Sequence, residues 1–254
     1  MSRQSRPGMD TETSGESLAL FSDVHGNRHA LEAVLDELDS RGITRMHCLG
    51  DLVGYGADPN GVIDVLRSRG VPSLLGNYDQ GVAWATGDCG CFYADAEAER
   101  VGAASYAFTE AAVSPENKEF LRGLPREEHL ELAGKTVHLV HGSPRRINEY
   151  LLKDRDERTY WRLAEAESDD VLAFGHTHDP WYRVYGGVLF VNVGSVGRPK
   201  GGDPRATYVV LRSTRGDAVG VEIGRVVYDV GAAAQAVLAA GLPAELADAL
   251  RSGR

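Results

Sequence analysis

The sequence predicts an α/β fold, and three patterns along the chain support that prediction. Helical and apolar segments alternate over residues 18–78, and the second half is rich in strand-like segments. In addition, five segments begin with mostly apolar residues, as strands buried on both faces do, and end in a Gly-containing turn that carries Asp, Asn or His. These segments are LALFSDVHGN (18–27), MHCLGD (46–51), PSLLGN (72–77), TVHLVHGSP (136–144) and VLAFGHTH (171–178).

Residues 18–78 are predicted to form strand, helix, strand, helix and strand. Segment 27–42 has apolar residues at helical spacing and stops at Gly42. Segment 59–70 repeats this pattern, with a proline near its start and a glycine at its end. Such an alternation predicts a parallel sheet with helices packed outside it.

The segment 79–127 is alanine-rich and helical in spacing. Because it lies between the third and fourth polar turns, we expect it to form a helical cap over the strand ends. Ordinary packing of helices on the sheet is an equally open alternative. The segment also contains several aromatic residues: Trp84, Phe92, Tyr93, Tyr106 and Phe108.

The second half is predicted to be mostly strands, followed by two closing helices. Tyr-Gly-Gly at 185–187 joins two of the strands as a β-hairpin turn would. The helices are predicted within DVGAAAQAVLAA and PAELADALRS. The strands are predicted within HLELAG, KTVHLVHG, DVLAFGH, PWYRVYGG, VLFVNVGS, ATYVVL and VEIGRVVYDV.

Composition restricts the class of protein. A chain of 254 residues that is 43% apolar can bury the core of one domain, predicted at 18–254. Its net charge of −10 argues against a protein that coats nucleic acid, which needs a basic surface. The chain has no 18-residue apolar segment. Residues 1–17 are polar and do not resemble a signal peptide, so we expect a disordered tail and a cytoplasmic protein.

The three cysteines also fit a reducing compartment. Cys48 lies in a strand-like segment and is predicted to be a small buried apolar residue. Cys89 and Cys91 lack the second pair that a zinc ribbon requires, so we expect them to be unliganded. Their role is open.

Polar side chains at the ends of the five segments are the candidate functional residues. Open α/β sheets bind ligands at the carboxyl ends of their strands, so these side chains are expected to meet there. Asp23 and His25 are two residues apart, which in an extended backbone points both side chains the same way. Such a set is too large for one tetrahedral ion and suits two metal ions that share a carboxylate. The candidates are Asp23, His25, Asp51, Asn77, His141, His176 and His178.

In this order the motifs resemble those of the calcineurin-like metallophosphoesterase superfamily: D-x-H, G-D, G-N-H-(D/E), G-H and G-H-x-H. The resemblance spans about residues 18–212. The second motif reads GDLVGYG rather than GDxxDRG, so the chain is more similar to the small prokaryotic phosphodiesterases than to Ser/Thr protein phosphatases. The resemblance implies an αββα sandwich of two sheets with 79–127 as the cap. One departure is Tyr78, where the larger branch has histidine.

The resemblance also implies two sets of metal ligands that share Asp51 as a bridge. The first set is Asp23, His25, Asp51 and His178. The second set is Asp51, Asn77, His141 and His176. These donors suit Mn, Fe, Co, Ni or Zn better than Ca, with Mn as the first choice. Two such ions activate a shared hydroxide that attacks phosphorus directly.

Further residues are candidates for contact with a phosphate. Arg145 and Arg146 follow the His141 motif, Ser195 lies in a glycine-flanked turn, and Arg198 follows it. Arginine forks and backbone N–H groups of such turns bind phosphate, although solvated surface charges are the alternative for the arginines. We expect the Tyr78 phenol to contact the leaving oxygen, with packing under the cap as the alternative.

Asp79 is expected to support its turn or a ligand imidazole. Four other histidines are expected to be structural or surface groups: His29, His47, His129 and His138.

These patterns predict an enzyme that hydrolyses a small phosphodiester, or a phosphomonoester, with Asp51, Asn77 and Tyr78 at the catalytic centre. One alternative is a non-catalytic interaction protein on the same fold. A second is a nuclease acting on nucleic-acid ends, against which the acidic charge argues. The expected partner is a small phosphorylated substrate, with no membrane, and a homo-oligomer is left open. The substrate and native metal are not determined by the sequence.

Overall fold

Two mixed β-sheets, flanked by helices, form the centre of the computed structural model, which describes residues 16–214 and 218–254. The strands are β1 (Ser17–Phe21), β2 (Met46–Cys48), β3 (Glu127–Leu132), β4 (Lys135–Val140), β5 (Val171–Phe174), β6 (Trp181–Tyr185), β7 (Val188–Asn192), β8 (Ala206–Ser213) and β9 (Val219–Val226). The helices are α1 (Arg28–Ser40), α2 (Pro59–Ser68), α3 (Asn77–Trp84), α4 (Ala96–Ala112), α5 (Pro115–Arg122), α6 (Glu157–Ala166), α7 (Val230–Ala239) and α8 (Ala244–Ser252).

The strand order divides the polar turns between the two sheets. The first sheet has the order β2-β1-β8-β9 and the second β3-β4-β5-β7-β6. In the first, β1 runs parallel to β2 and antiparallel to β8. In the second, β4, β5 and β7 are parallel neighbours, while β3 and β6 are antiparallel edge strands. The carboxyl ends of β1 and β2 therefore meet those of β4 and β5.

The core lies between and outside the sheets because strand residues alternate between faces. Leu18 and Leu20 of β1 belong to the apolar cluster between the sheets, which also contains Val137 and Leu139 of β4. Ala19 and Phe21 pack on the other face, with the buried side of α1. Phe174 and Phe190 pack with α6 outside the second sheet. This layering is the two-sheet sandwich that the family resemblance implies.

The predicted helices at 27–42 and 59–70 are confirmed as α1 and α2, each with a side-chain cap. Asn27 accepts a hydrogen bond from the Ala30 N–H, and Asp58 accepts one from the Gly61 N–H. Both caps satisfy N–H groups that lack partners in the first turn of a helix. The hairpin at 185–187 and the two closing helices are also confirmed.

Some sequence-based predictions need correction. Segment 72–77 forms only an isolated bridge between Ser73 and Cys48, and α3 begins at Asn77. A parallel sheet is found only in part, since β8 and β9 add antiparallel partners to β1. Helix α6 was not predicted, although it buries Tyr160, Leu163 and Ala164 on one face.

The described residues begin at Glu16, near the end of the predicted N-terminal tail. Strand β1 begins at Ser17, one residue inside the predicted tail, and residues 1–15 of that tail lie outside the described residues. Segment 79–127 contains most of α3 and all of α4 and α5. None of the helices in the described ranges is long and apolar enough to cross a membrane.

Candidate metal centre

The polar turns come together where the ends of the two sheets meet. Strands β1 and β2 of the first sheet precede two of these turns, β4 and β5 of the second precede two more, and α3 supplies the last. The predicted ligands are all at most 5% exposed. They are Asp23, His25, Asp51, Asn77, His141, His176 and His178.

These side chains form two adjoining groups, in each of which the potential ligand atoms lie within 4.8 Å of one another. The first ligand group is Asp23, His25 and His178, and the second is Asp51, His141 and His176. In the first, His178 Nε2 lies 3.2 Å from Asp23 Oδ1 and 3.1 Å from His25 Nε2. In the second, His141 Nε2 lies 3.4 Å from Asp51 Oδ2. Asn77 Oδ1 approaches the same nitrogen at 2.9 Å.

Asp51 links the two groups. Its Oδ1 accepts a hydrogen bond from the Tyr78 backbone N–H at 2.8 Å, which fixes the carboxylate. Its Oδ2 lies 3.8 Å from His25 Nε2 and 3.4 Å from His141 Nε2. One carboxylate oxygen therefore faces both ligand groups.

Backbone carbonyls orient three of the imidazoles. The Nδ1 atoms of His25, His141 and His178 lie 3.0, 2.8 and 2.8 Å from the carbonyl oxygens of Val53, Leu49 and Arg198. A carbonyl oxygen can only accept, so each Nδ1 carries the hydrogen and, in the neutral ring, Nε2 carries the lone pair. Each Nε2 is therefore available as a metal ligand.

Unpartnered buried atoms show that the donor set fits divalent cations. Neither Asp23 Oδ1 nor His176 Nε2 makes a hydrogen bond. Such atoms destabilise a protein by about 1–3 kcal/mol each when nothing satisfies them. The His25 and His178 nitrogens also face each other at 3.1 Å, where two lone pairs repel unless a proton or cation lies between them. Cations bound by the two ligand groups would satisfy these atoms.

The backbone of these turns is strained. Five of the predicted ligands have positive φ, between 49° and 65°. They are Asp23, His25, Asp51, His176 and His178. Left-handed backbone destabilises a non-glycine residue by about 1–2 kcal/mol, and glycine would adopt it without that penalty. The extended geometry expected for Asp23 and His25 is therefore wrong: turns bring their side chains together.

Burial and charge set the protonation of the metal-free site. Burial lowers the pKa of His25 to about 4 and that of His176 to about 3, so both rings are neutral at neutral pH. Burial opposes protonation of His141 too, but the Asp51 carboxylate outweighs it and raises its pKa to about 9. Burial acts to raise the pKa of Asp23, yet His178 and its neighbours hold it well below the ordinary value. A cation at the second ligand group would thus replace a proton on His141.

Asp79 braces two of the turns. It accepts hydrogen bonds from the N–H groups of Leu52 and Val53, at 2.9 and 3.1 Å, and from that of Gly76 at 3.0 Å. This contact ties the Asp51 turn to the start of α3. Of the two roles expected for Asp79, the structure shows support of the turn, and its hydrogen bonds go to backbone rather than to an imidazole.

The cap segment orients Asn77. The amide nitrogen donates to the Cys89 carbonyl at 2.8 Å and lies 3.3 Å from Cys91 Sγ, which leaves Oδ1 facing His141. Cys89 and Cys91, whose role the sequence left open, form a disulfide. Gly90 between them has φ of +63°, a turn that places their Cα atoms 5.4 Å apart.

Tyr78 lies beneath the cap rather than at the site. It is fully buried, its hydroxyl is 2.8 Å from Ser105 Oγ, and its ring packs edge-on against Tyr55. The expected contact between its phenol and a leaving group is therefore contradicted, and the packing alternative describes its position. Its position in the first turn of α3 directs its backbone N–H, and not its hydroxyl, towards Asp51.

A cleft of about 430 Å³ opens over the candidate metal centre. Phe92 and Tyr93 of the cap segment line it, and Tyr150, Arg198 and Lys200 line it from the second half of the chain. The Arg198 guanidinium lies 4.1 Å from the centroid of the Tyr55 ring, and its Nε has no hydrogen-bond partner. Sequence reasoning missed Tyr55, Tyr150 and Lys200. Their positions beside the polar motifs, in GDLVGYG, INEY and GRPK, were the only local signal.

The other candidate phosphate contacts lie outside this cleft. Arg145 forms an ion pair with Glu149, and Arg146 lines a neighbouring cavity. Ser195 is buried, donates to the Asp23 carbonyl at 2.8 Å and accepts from the Arg198 N–H at 2.8 Å. Its hydroxyl thus holds two loops together, while the predicted contact between phosphate and the backbone N–H groups of this turn stays a prediction.

The chain is similar in sequence and in structure to known proteins. The profile of the calcineurin-like phosphoesterase superfamily domain matches residues 17–216. An uncharacterized protein of Methanocaldococcus jannaschii is 32% identical over 254 residues, covering 93% of this chain and 98% of that protein. The crystal structure of a metallophosphoesterase from Sphaerobacter thermophilus is 29% identical, with a TM-score of 0.75 over 94% of this chain and 100% of the other. A hypothetical protein from Pyrococcus horikoshii OT3 is 23% identical, with a TM-score of 0.80 over 94% and 98%.

Proposed function

Since this chain belongs to the calcineurin-like phosphoesterase superfamily, we propose that it is a phosphoesterase with a dinuclear metal centre. The observation that carries the proposal is the position of Asp51, whose Oδ2 faces both ligand groups. A carboxylate in that position can bridge two cations and offset part of their charge. We propose a small phosphodiester as the preferred substrate, with phosphomonoesters as weaker ones.

The proposed ligands follow the two groups. Asp23, His25, Asp51 and His178 would hold one ion. Asp51, Asn77, His141 and His176 would hold the other. This mixture of imidazole, carboxylate and amide donors suits Mn first, with Fe, Co, Ni or Zn as alternatives. Two such ions, when bound by these residues, would lower the pKa of a water molecule and polarise the phosphoryl group.

The chain's own residues would bind and orient the substrate. The Arg198 fork, with its free Nε, is placed to bind a phosphoryl oxygen, and Lys200 adds a second positive charge in the cleft. The volume of the cleft, about 430 Å³, suits a small ester rather than a nucleic-acid duplex. The aromatic rings of Phe92, Tyr93 and Tyr150 would contact the leaving group.

The groups available to protonate a leaving group favour esters whose leaving groups are already acidic. The histidines that line the cleft are His25, His176 and His178, all proposed ligands. Burial raises the pKa of the Tyr93 and Tyr150 phenols, so they donate hydrogen bonds but transfer protons poorly. Esters with acidic leaving groups need no such proton, whereas aliphatic esters do.

The proposal is tested by metal analysis together with a substrate panel. Protein loaded with Mn, Ni or Zn is assayed on bis(p-nitrophenyl) phosphate, p-nitrophenyl phosphate and a single-stranded oligonucleotide. We expect two metal equivalents at this centre and the highest kcat/KM on the diester. Metal binding without turnover of either ester would favour a non-catalytic interaction protein. Preferential, salt-dependent cleavage of oligonucleotide ends would favour a nuclease.

A further inference from the structure

A second cluster of histidines and carboxylates lies on the second sheet, apart from the metal centre. We propose that this edge cluster binds one additional divalent transition-metal ion, with Zn²⁺ as the best fit. The edge cluster comprises Glu127 and His129 of β3, His138 of β4, and Glu167 and Asp169 after α6. It shares no residue with the two ligand groups of the metal centre.

The two imidazoles of the edge cluster are aligned by the sheet. His129 and His138 are directly opposite each other in the antiparallel pairing of β3 with β4. Their rings stack with centroids 4.2 Å apart and planes 19° apart. His129 Nδ1 lies 2.9 Å from Asp169 Oδ2, and His138 Nδ1 lies 2.9 Å from Glu167 Oε2. Carboxylate partners of this kind orient histidine ligands in metal sites and strengthen their basicity.

One buried nitrogen of the edge cluster has no hydrogen-bond partner. His138 is 5% exposed, and its Nε2 has no hydrogen-bond partner. Because the Glu167 carboxylate accepts a hydrogen bond from Nδ1–H, the Nε2 atom of the neutral ring carries a lone pair. Glu127 Oε2 lies 3.4 Å from this nitrogen and also offers only lone pairs when ionised. A cation between these two atoms would satisfy both.

The donors present are typical of a zinc site. One ligand atom each from Glu127, His129 and His138 lies within 4.8 Å of the others. Two imidazoles and one carboxylate match a three-ligand zinc site in which water takes the fourth position. The His129 and Glu127 side chains are each 54% exposed, so water reaches that position. A bound ion would join the edge strand β3 to β4.

The alternative to a bound zinc ion is a protonated His138 that contacts both Glu127 and Glu167. The number of zinc ions bound per chain distinguishes these two arrangements. Zinc content is measured after equilibrium dialysis for the wild type and for Glu127→Gln, His129→Asn and His138→Asn. The matched control is His47→Asn, because His47 Nε2 also lies 3.4 Å from a glutamate, Glu128, but outside any cluster found among the described residues.

We expect each edge-cluster variant to bind one zinc equivalent fewer than the wild type, and the His47 variant to match the wild type. The same decrement is expected in an Asp51→Asn background, which separates this site from the metal centre. Zinc should raise the Tm of the wild type more than that of Glu127→Gln. Equal zinc content in the wild type, Glu127→Gln and His129→Asn, all folded by circular dichroism, would overturn the proposal. Glu127→Gln and His129→Asn change exposed residues, so the test still holds if His138→Asn does not fold.

Discussion

The metal centre and the edge cluster combine the same side chains but are constructed differently. At the metal centre, backbone carbonyls hold the Nδ1 atoms of three imidazoles, and five ligand positions have left-handed backbone. At the edge cluster, carboxylate side chains hold Nδ1, and His129 and His138 lie on regular strands. The centre is thus fixed by its backbone, whereas the edge cluster depends on side chains that can move.

This difference explains which site could be predicted from sequence. A strained turn confines each ligand to a short motif, so D-x-H and G-H-x-H are visible without a structure. The edge cluster joins residues from two strands and the segment after α6, and only strand register brings His129 opposite His138. Those histidines were therefore expected to be merely structural or surface groups.

The largest expected effect tests the bridge in the metal centre. Asp51→Asn keeps the shape of the side chain and removes the charge that faces both ligand groups. We expect the loss of at least one metal equivalent and a decrease in kcat/KM of at least about 10³-fold, because Asp51 would no longer offset the charge of two ions. Metal analysis and diester turnover check this, with His47→Asn as the control. Normal turnover at normal metal content would show that Asp51 is not a bridge.

The next largest effect is expected in the stability of the metal-free protein, which should depend on pH. The pKa of His25 is about 4 in the folded state, below its ordinary value of 6.5, so the unfolded chain binds more protons between these values. Stability should therefore fall as the pH drops from about 6.5 to about 4, by up to about 1.4 kcal/mol per pH unit for this group.

His141 should change the stability with pH in the opposite direction to His25. Its folded-state pKa of about 9 is raised, so its contribution is present below pH 6.5 and is lost as the pH rises to about 9. Thermal unfolding across pH should show a maximum near neutrality. Bound metal should remove the loss at high pH, because it replaces the proton. A flat profile in the metal-free protein would contradict both assignments.

Paired Ala and Gly variants test the difference between the left-handed backbone of the metal centre and the strand backbone of the edge cluster. Their effect on stability should be smaller. His176 has φ of 65°, so His176→Gly should be more stable than His176→Ala by about 1 kcal/mol. His138 lies on β4, so the order should reverse, with His138→Gly less stable by about 0.5–1 kcal/mol. The Ala and Gly variants of each pair leave nearly the same cavity, so their difference in stability reports the preference of the backbone. Denaturant unfolding without metal measures it, and the same order at both positions would refute the contrast.

The smallest effect concerns the cap segment. Phe92 and Tyr93 line the cleft, whereas Trp84 is 49% exposed and lies outside it. We expect Phe92→Ala and Tyr93→Ala to change the ratio of kcat/KM between aryl and alkyl diesters a few-fold, and Trp84→Ala to leave it unchanged. If neither cleft variant alters the ratio, the cap does not contribute to leaving-group preference.

Other differences from the predictions also have physical causes. Segment 72–77 has the apolar pattern of a strand, and Leu74 and Leu75 are buried, but the start of α3 at Asn77 leaves room for only one bridge. Tyr78 stands at the position of a family histidine, yet its ring fills the space over Gly54, where a side chain would collide with it. Motif position alone could not show on which side of the chain the phenol lies.

The hydrogen bond from Asn77 to the Cys89 carbonyl has a consequence for engineering this scaffold. A loop exchanged into 85–95 to accept a different ester would also remove the acceptor that keeps the Asn77 amide from rotating. The amide nitrogen of Asn77, rather than its oxygen, could then face His141. That N–H group cannot bind a metal ion, so the proposed ligand would be lost. Libraries that diversify this loop should therefore retain the backbone around Cys89 and vary the side chains beyond it.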